Sequence, residues 1–569
     1  MLYCRAEWRK TGVRAAGWLC AQPKGARQNE GVMKGERRGI FLVLGVLIFS
    51  AVLGGVYGPS VRATAASTDD LKISLRNFTR VLSVVEENYA EPLDTDRIMY
   101  HGAIPEMLRV LDPHSSFFDA RQFSQILEEQ HGLYFGVGMT VAPRQNRTVV
   151  LSPYVGSPAY KAGIRPGDII MKVDDKSTDG LSTPEVADLL KGPKGTVVHI
   201  TISREGYPDV LLFTVTRDEI PRRSVDIATL LKPGIGYVRL IGFNETTDHE
   251  LAEALDKLDV ASLDGLILDL RGNPGGLLTA AVAVSDMFLE KNQLIVTHYG
   301  RSVEKHGYWA VHGNQGVKVP LVVLINGFSA SASEIVTGAI QDHDRGLLVG
   351  ETSFGKGLVQ TVTHLSERTG LALTTARYYT PSGRLIQRDY KTVSLYDYHY
   401  TRKTPDHPTD VKLTDSGRQV YGGGGINPDI VVPTPKYNHF QETLLRHDVF
   451  SGFEGTVGGF TRSYMGTKPS VTHQFEVTDS IVNELRRYME KQNVRYTESE
   501  FAENLDWMKR KIRQEVFLSV FGLPDSVKVE LEADPQVQKA VESIPQARAL
   551  YENVRKVIAQ RSGEPVSKP

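Results

Sequence analysis

The chain has 569 residues, a formal net charge of -1, 41% hydrophobic residues and 23% charged residues. That length exceeds what one hydrophobic core holds, so more than one domain is expected, and the balanced charge argues against nucleic acid or a bulk electrostatic partner. Both cysteines, Cys4 and Cys20, precede the first apolar segment, which leaves the body without thiols for a disulfide framework or a thiolate metal site.

Residues 1–33 have no domain character, and Met33 is a candidate start. Lys34, Arg37 and Arg38 precede an apolar run from Ile40 to Tyr57, and A-T-A-A at Ala63–Ala66 is a candidate cleavage site. Residues 34–66 therefore read as a signal peptide or a single-span membrane anchor, the run having about the minimum length to cross a bilayer. Positive charge ahead of it places the body outside the cytoplasm. A helical segment is expected over 67–133. Leu71, Leu75, Phe78, Leu82, Val85 and Tyr89 fall at helical spacing, and a second helix is expected over Arg97–Leu111, where Pro105 implies a kink or a later start. It stops at L-D-P-H-S-S, where Pro113 blocks continuation.

Residues 134–217 read as a small β-rich domain, with strands over Thr148–Leu151, Ile169–Val173, Val197–Ser203 and Val210–Val215. One helix is expected over Thr183–Leu190, capped by Thr183 with Pro184 first inside. The run G-S-P-A-Y-K-A-G-I-R-P-G-D-I-I, Gly156–Ile170, resembles the PDZ domain. By that resemblance Phe135, Gly136, Val137, Gly138 and Met139 occupy the loop whose amides take a peptide's terminal carboxylate, while the peptide adds to the sheet edge. Beyond it, strands over Gly236–Leu240, Gly265–Leu270, Val319–Ile325, Gly346–Gly350, Val359–His364 and Leu371–Tyr378, with a helix over Leu278–Phe288, make an α/β pattern across 218–433. Residues 384–425 are polar and turn-rich and read as a surface excursion ending in Gly422–Gly425. Residues 434–569 form a helical extension. Ile481, Leu485 and Tyr488, and then Phe501, Leu505, Met508 and Ile512, are helically spaced, and a last helix starts at Asp534-Pro535. Assembly, substrate guarding or plain packing all suit it.

Chemistry concentrates in four motifs: D-L-R-G-N-P-G-G (Asp269–Gly276), F-S-A-S-A-S-E-I (Phe328–Ile335), F-G-K-G-L-V-Q (Phe354–Gln360) and G-G-I-N-P-D-I (Gly424–Ile430). A serine at a helix start and a lysine between glycines suffice for acyl transfer without histidine, provided burial neutralises the lysine. The residues alone do not separate Ser329, Ser331 and Ser333: Ser329 suits a helix cap, and Ser333 can point into the packing. Glu334 reads as a first-turn acid matched to the helix dipole. Asp269 and Arg271 read as structural partners at a strand end, and His343 and His364 as structural or surface residues.

In order and spacing, with the PDZ-like insertion and the L-D-P-H-S-S entry, the motifs resemble the C-terminal processing peptidases, or tail-specific proteases, over roughly residues 70–433. The resemblance implies a crotonase-like α/β peptidase core, with Ser331 as nucleophile, Lys356 as general base and Gln360 holding the lysine amine. It implies an oxyanion hole from the amides of Gly276 and Ala332. It further implies extracytoplasmic protein substrates bound by their tails, PDZ-gated activity, and homo-oligomers, sometimes with an adaptor protein. No cofactor or metal is indicated. Two rivals are a PDZ scaffold with an inactive peptidase core and a non-hydrolytic acyl-CoA enzyme. The complete Ser-Lys-Gln set counts against the first, and the export segment with a tail-binding module counts against the second.

Overall fold

The computed structural model describes residues 3–4, 66–144, 146–204, 207–315, 318–366, 368–401, 410–447, 449–450, 461 and 471–562. The expected signal peptide or anchor lies outside them. No helix among the described residues is long and apolar enough to cross a membrane. The chain divides into two compact units, one over Ala6–Met107 and one formed by Met1–Arg5 with Leu108–Pro569.

In the first unit, helix α1 (Ala66–Asn88) carries the expected apolar stripe, and Leu71, Leu75, Phe78 and Val85 on it are exposed. The second expected helix is broken into Thr95–Ile98, a wide turn over Met99–Ala103 and Ile104–Arg109. The wide turn ends just before Pro105, whose missing N–H cannot continue regular helix bonding.

The β-rich insertion is a six-stranded sheet with β1 (Met139–Arg144) at one edge, followed by β2 (Arg147–Pro153), β3 (Ile169–Val173), β4 (Val197–Ser203) and β5 (Leu211–Thr216), and with the two-residue strand Lys176–Ser177 paired to β3. Edge strand β1 escaped sequence reading. Helix α2 (Thr183–Leu190) is capped by Ser182 rather than Thr183, because Glu185 lies three residues beyond Ser182 and its Oε2 accepts the Ser182 amide at 2.7 Å. The insertion joins the core through a ribbon in which Leu133–Gly136 pairs antiparallel with Asp218–Pro221.

The core sheet runs β6 (Val225–Lys232), β7 (Ile235–Leu240), β8 (Gly265–Asp269), β9 (Leu321–Ile325), β10 (Leu347–Gly350) and Ile430–Val431. All neighbours after β7 are parallel. Every residue of β8, β9 and β10 is buried, the unbroken apolar run of a sheet covered on both faces. One face packs α3 (Thr247–Lys257), α4 (Leu278–Asp286) and α5 (Ala332–Asp342). A second sheet carries β11 (Leu358–His364) and β12 (Gly370–Tyr379), with Ser116–Phe118 on β12 and Tyr3–Cys4 beside β11.

The C-terminal extension covers the other face of the core sheet. Val527, Leu531, Val537, Ala540, Ile544 and Ala547 pack on Tyr237, Ile267, Val322, Leu324 and Val349. The extension also holds a helical core of its own, including Phe440, Leu485, Met489, Phe501, Ile512 and Phe517. Asp534 caps its helix as expected, accepting from the amides of Gln536 at 2.8 Å and Val537 at 3.2 Å. Of the surface excursion expected over 384–425, the middle, Lys391–Tyr400, is exposed apart from Tyr398, while the flanks turn inward. Arg384, Ile386, Arg388, Tyr398 and Val420 are buried. Arginine is tolerated there because each guanidinium finds partners: Arg384 meets Asp342 at 2.7 Å, and Arg388 lies 4.7 Å over the Phe354 ring.

Gly265 has no side chain, and Ile544 fills that space: a Cβ there would meet Ile544 Cδ1 at 2.6 Å. Truncating Ile544→Ala should cost about 2–5 kcal/mol, whereas Val520→Ala on the exposed side of the extension should change stability by under about 0.5 kcal/mol. Denaturant unfolding of the full chain measures both, and equal effects would mean the extension does not seal the sheet.

Candidate active site

Strands β8 and β9 pair with Asp269 opposite Leu324, so the loops after them leave the same end of the sheet. The first is R-G-N-P-G-G and the second N-G-F-S-A-S. Asn273 laces them together. Its carbonyl accepts the Ala330 amide and the Ser333 hydroxyl, both at 3.0 Å, and its side chain bonds Leu240 O and the Gly275 amide, both at 2.9 Å. Gly275 has φ +98, and a Cβ there would lie 2.7 Å from Ala330 O and 2.8 Å from Ser331 Cβ. Gly276 bridges Phe243 so closely that a Cβ would sit 1.9 Å from its carbonyl oxygen. Glycine is required at both positions by close approach as well as by φ.

This lacing sorts the three serines. The Ser329 hydroxyl donates to Leu270 O at 2.8 Å and accepts from the Asn326 amide at 3.0 Å. The Ser333 hydroxyl is spent on Asn273. Ser331 is the N-cap of α5, with φ 61 and ψ -112, a backbone region that costs a non-glycine residue about 1–3 kcal/mol. Its buried Oγ has no hydrogen-bond partner among the described residues. Nor do the amides of Gly276 and Ala332 donate any hydrogen bond there, and a Cβ on Gly275 would lie 2.9 Å from Ala332 N.

Lys356 follows Gly355, whose φ is +87. The Phe354 amide donates to Ser329 O at 2.9 Å, which brings the lysine turn against the serine loop. Lys356 is 4% exposed, and burial lowers its pKa to about 8, against the attraction of Asp112 and Glu334 for the ammonium. Gln360 is buried on β11, but its amide donates to Thr374 Oγ1 at 3.1 Å and its Oε1 has no partner among the described residues. The expected bond from Lys356 to Gln360 is therefore not made in this conformation, and neither is one from Ser331 to Lys356.

Sequence reasoning missed two neighbours, Asp112 and His114. Both sit in L-D-P-H-S-S, where Asp112 accepts from the His114 amide, the Ser115 amide and the Ser115 hydroxyl, each at 2.8 Å. An aspartate followed two and three residues on by such donors is the available signal. His114 bonds Tyr398 Oη at 2.8 Å, and burial and Lys356 hold its pKa far below the usual histidine range. His343 caps the far end of α5, about 18 Å along its axis from Ser331, and pairs with Asp415 at 2.7 Å. His364 packs on the Phe123 ring, with centroids 4.8 Å apart. Asp269 and Arg271 pair at 2.6 Å, the structural role expected of them.

In the insertion, Gly138 has φ +77, and its carbonyl accepts the Ser157 hydroxyl at 2.7 Å. Val137 and Met139 bury their side chains in the domain core, so what they offer a ligand is backbone, while Phe135 is 40% exposed. Strand β1, which starts at Met139, is the sheet edge a peptide can extend.

Residues 234–393 match the family model Peptidase family S41, and residues 149–204 match the PDZ domain. A carboxy-terminal-processing protease of Bartonella bacilliformis is 37% identical over 426 residues, 74% of this chain and 88% of that one. The carboxy-terminal processing protease CtpA of Bacillus subtilis is 33% identical, covering 68% of this chain and 86% of that one. A carboxyl-terminal-processing protease of Synechocystis is 35% identical, covering 60% and 84%.

The hydroxyl partners give a stability test. Ser329→Ala and Ser333→Ala each strand a buried group and should cost about 1–3 kcal/mol, while Ser331→Ala should leave the melting temperature nearly unchanged. If Ser331→Ala destabilised as much as the others, its hydroxyl would be structurally bonded.

Proposed function

Because the chain belongs to the carboxy-terminal processing proteases of peptidase family S41, we propose that it is a serine endopeptidase working through a Ser331–Lys356 dyad on extracytoplasmic proteins recognised by their C-terminal tails. The observation that carries this reading is the unpartnered Ser331 hydroxyl at the start of α5, in one hydrogen-bonded assembly with a buried lysine of lowered pKa. Ser331 Oγ attacks the scissile carbonyl as neutral Lys356 takes its proton. The amides of Gly276 and Ala332, with the dipole of α5 behind them, face the oxyanion, where loss of one donor typically costs about 3 kcal/mol. The lysine then returns its proton to the leaving amine, and water cleaves the acyl-enzyme by the same route.

Gln360, with a free Oε1, orients the amine without adding charge once the dyad closes. We assign that closure to tail binding in the PDZ domain, which shifts the population toward an aligned Ser331, Lys356 and Gln360. The basic-then-apolar stretch ahead of residue 66 supports an extracytoplasmic site of action.

Three measurements test this. An unfolded model protein with an apolar tail should be cleaved by the wild type and not by Ser331→Ala or Lys356→Ala. Wild type that binds the tail yet stays inert would favour the scaffold reading. The rate should rise with pH through about 8, as Lys356 loses its proton, and level off above. A profile flat from about pH 6 to 9 would rule out Lys356 as the titrating base. Amidating the substrate's C-terminus should raise KM by about tenfold or more, since the loop amides then lose the carboxylate's charge. An unchanged KM would remove tail recognition from the mechanism.

A further inference from the structure

Glu334 is fully buried at the third position of α5, where an ordinary first-turn acid sits at the surface. Its carboxylate accepts four hydrogen bonds. Oε1 takes the Ser353 hydroxyl at 2.5 Å and the Gly355 amide at 2.6 Å. Oε2 takes the Ser331 amide at 2.7 Å and the Lys356 amide at 2.9 Å. A helix cap explains only the Ser331 bond.

Tyr378, on β12 and also fully buried, makes the complementary contacts. Its hydroxyl lies 2.6 Å from the Lys356 carbonyl and 3.1 Å from the Ser331 carbonyl, as a donor shared between the two. Its own amide donates to Gly357 O at 2.9 Å, which holds the phenol against the lysine turn. One carboxylate oxygen thus joins the N–H groups of Ser331 and Lys356, and one phenol joins their C=O groups. Neither side chain bonds the serine hydroxyl or the lysine amine.

We propose that Glu334 and Tyr378 are paired positioning residues that bolt the backbone of Ser331 to the backbone of Lys356. The proposal rests on the dyad reading above. The clamp fixes the separation of the two residues and supports the unfavourable backbone of Ser331. A misplacement of about 1 Å in such a pair costs on the order of a hundredfold in rate. All four partners of Glu334 are donors, so only an ionised carboxylate satisfies them, and burying one is worthwhile only where its bonds are needed. Burial pushes its pKa up to about 7, with those four bonds holding it down.

The test uses the full chain with Glu334→Gln, Tyr378→Phe and the double variant, and Ser331→Ala and Lys356→Ala as controls. Glu334→Gln keeps the shape but turns N–H groups toward donors, and Tyr378→Phe keeps the ring and loses only the hydroxyl. The readouts are kcat and KM on a tail-bearing substrate, the rate of Ser331 labelling by a fluorophosphonate, and the melting temperature. Each single variant should lower kcat and the labelling rate by about tenfold or more with KM within about twofold. The double variant should fall little below the worse single one, since the two act as a unit. Unchanged kcat per folded molecule with a lower melting temperature would reduce both residues to structural roles and overturn the proposal. Losses that multiply in the double variant would overturn the pairing. If Glu334→Gln does not fold, Tyr378→Phe alone decides: an unchanged kcat and labelling rate overturns the clamp, and a tenfold loss at constant KM supports it. Hydrolysis that survives in the Ser331→Ala and Lys356→Ala controls would reject the dyad itself, independently of the clamp.

Discussion

The site depends on the hydrogen bonds of one buried residue, Asn273. It binds strand β7 through Leu240 O, its own glycine turn through the Gly275 amide, and the serine loop through Ala330 and Ser333. Parallel pairing delivers the two loops to the same sheet end, but only roughly. Asn273 converts that proximity into a fixed juxtaposition in which Gly275 lies against Ser331. The backbone strain at Ser331 persists because the residues on either side of it are already committed to other partners.

The electrostatics around Lys356 are a balance rather than simple burial. Asp112 and Glu334 both favour the ammonium, and a lysine between two carboxylates in water would stay charged. Here Glu334 accepts four hydrogen bonds and Asp112 three, and both still pull the amine's pKa upward. Desolvation then outweighs them and brings the amine's pKa down to about 8. His114 adds no cation, because its environment holds it neutral.

What was legible in the sequence was whatever short-range chemistry encodes. Glycine turns, the Asp534-Pro535 helix start, the apolar runs of β8–β10 and the PDZ-like insertion all follow from local residue pattern. What was not legible depends on partners far along the chain. Ser329 and Ser333 are set apart from Ser331 by bonds to Leu270 and Asn273, 59 and 60 residues away. Glu334 looks like a cap because its nearest bond is a cap, while its other partners lie 19 to 22 residues on. The stretch from Arg384 reads as solvated because its composition is polar, yet Arg384 is buried against Asp342 and Gln341, and Arg388 against the rings of Phe354 and Tyr398. The edge strand Met139–Arg144 was hidden by a proline and two turns.

Helical spacing in the extension announced an apolar face but not its target. That target is the core sheet, and the docking reaches further than packing. Arg271 belongs to the same loop as Asn273, Gly275 and Gly276. Its guanidinium holds Asp269 at the strand end and also Asp534 at 2.6 Å and Gln536 at 2.8 Å, at the start of a C-terminal helix. Gln536 in turn donates to Val432 O at 2.7 Å, just past the last strand of the core sheet. Removing one partner of a mostly buried ion pair leaves an uncompensated charge, typically a loss of about 3–5 kcal/mol. The extension therefore anchors the loop that carries the candidate oxyanion donor as well as sealing the sheet beneath it. The last helices of the extension are thus tied into the peptidase core through the Arg271 loop, by partners more than 260 positions downstream of it.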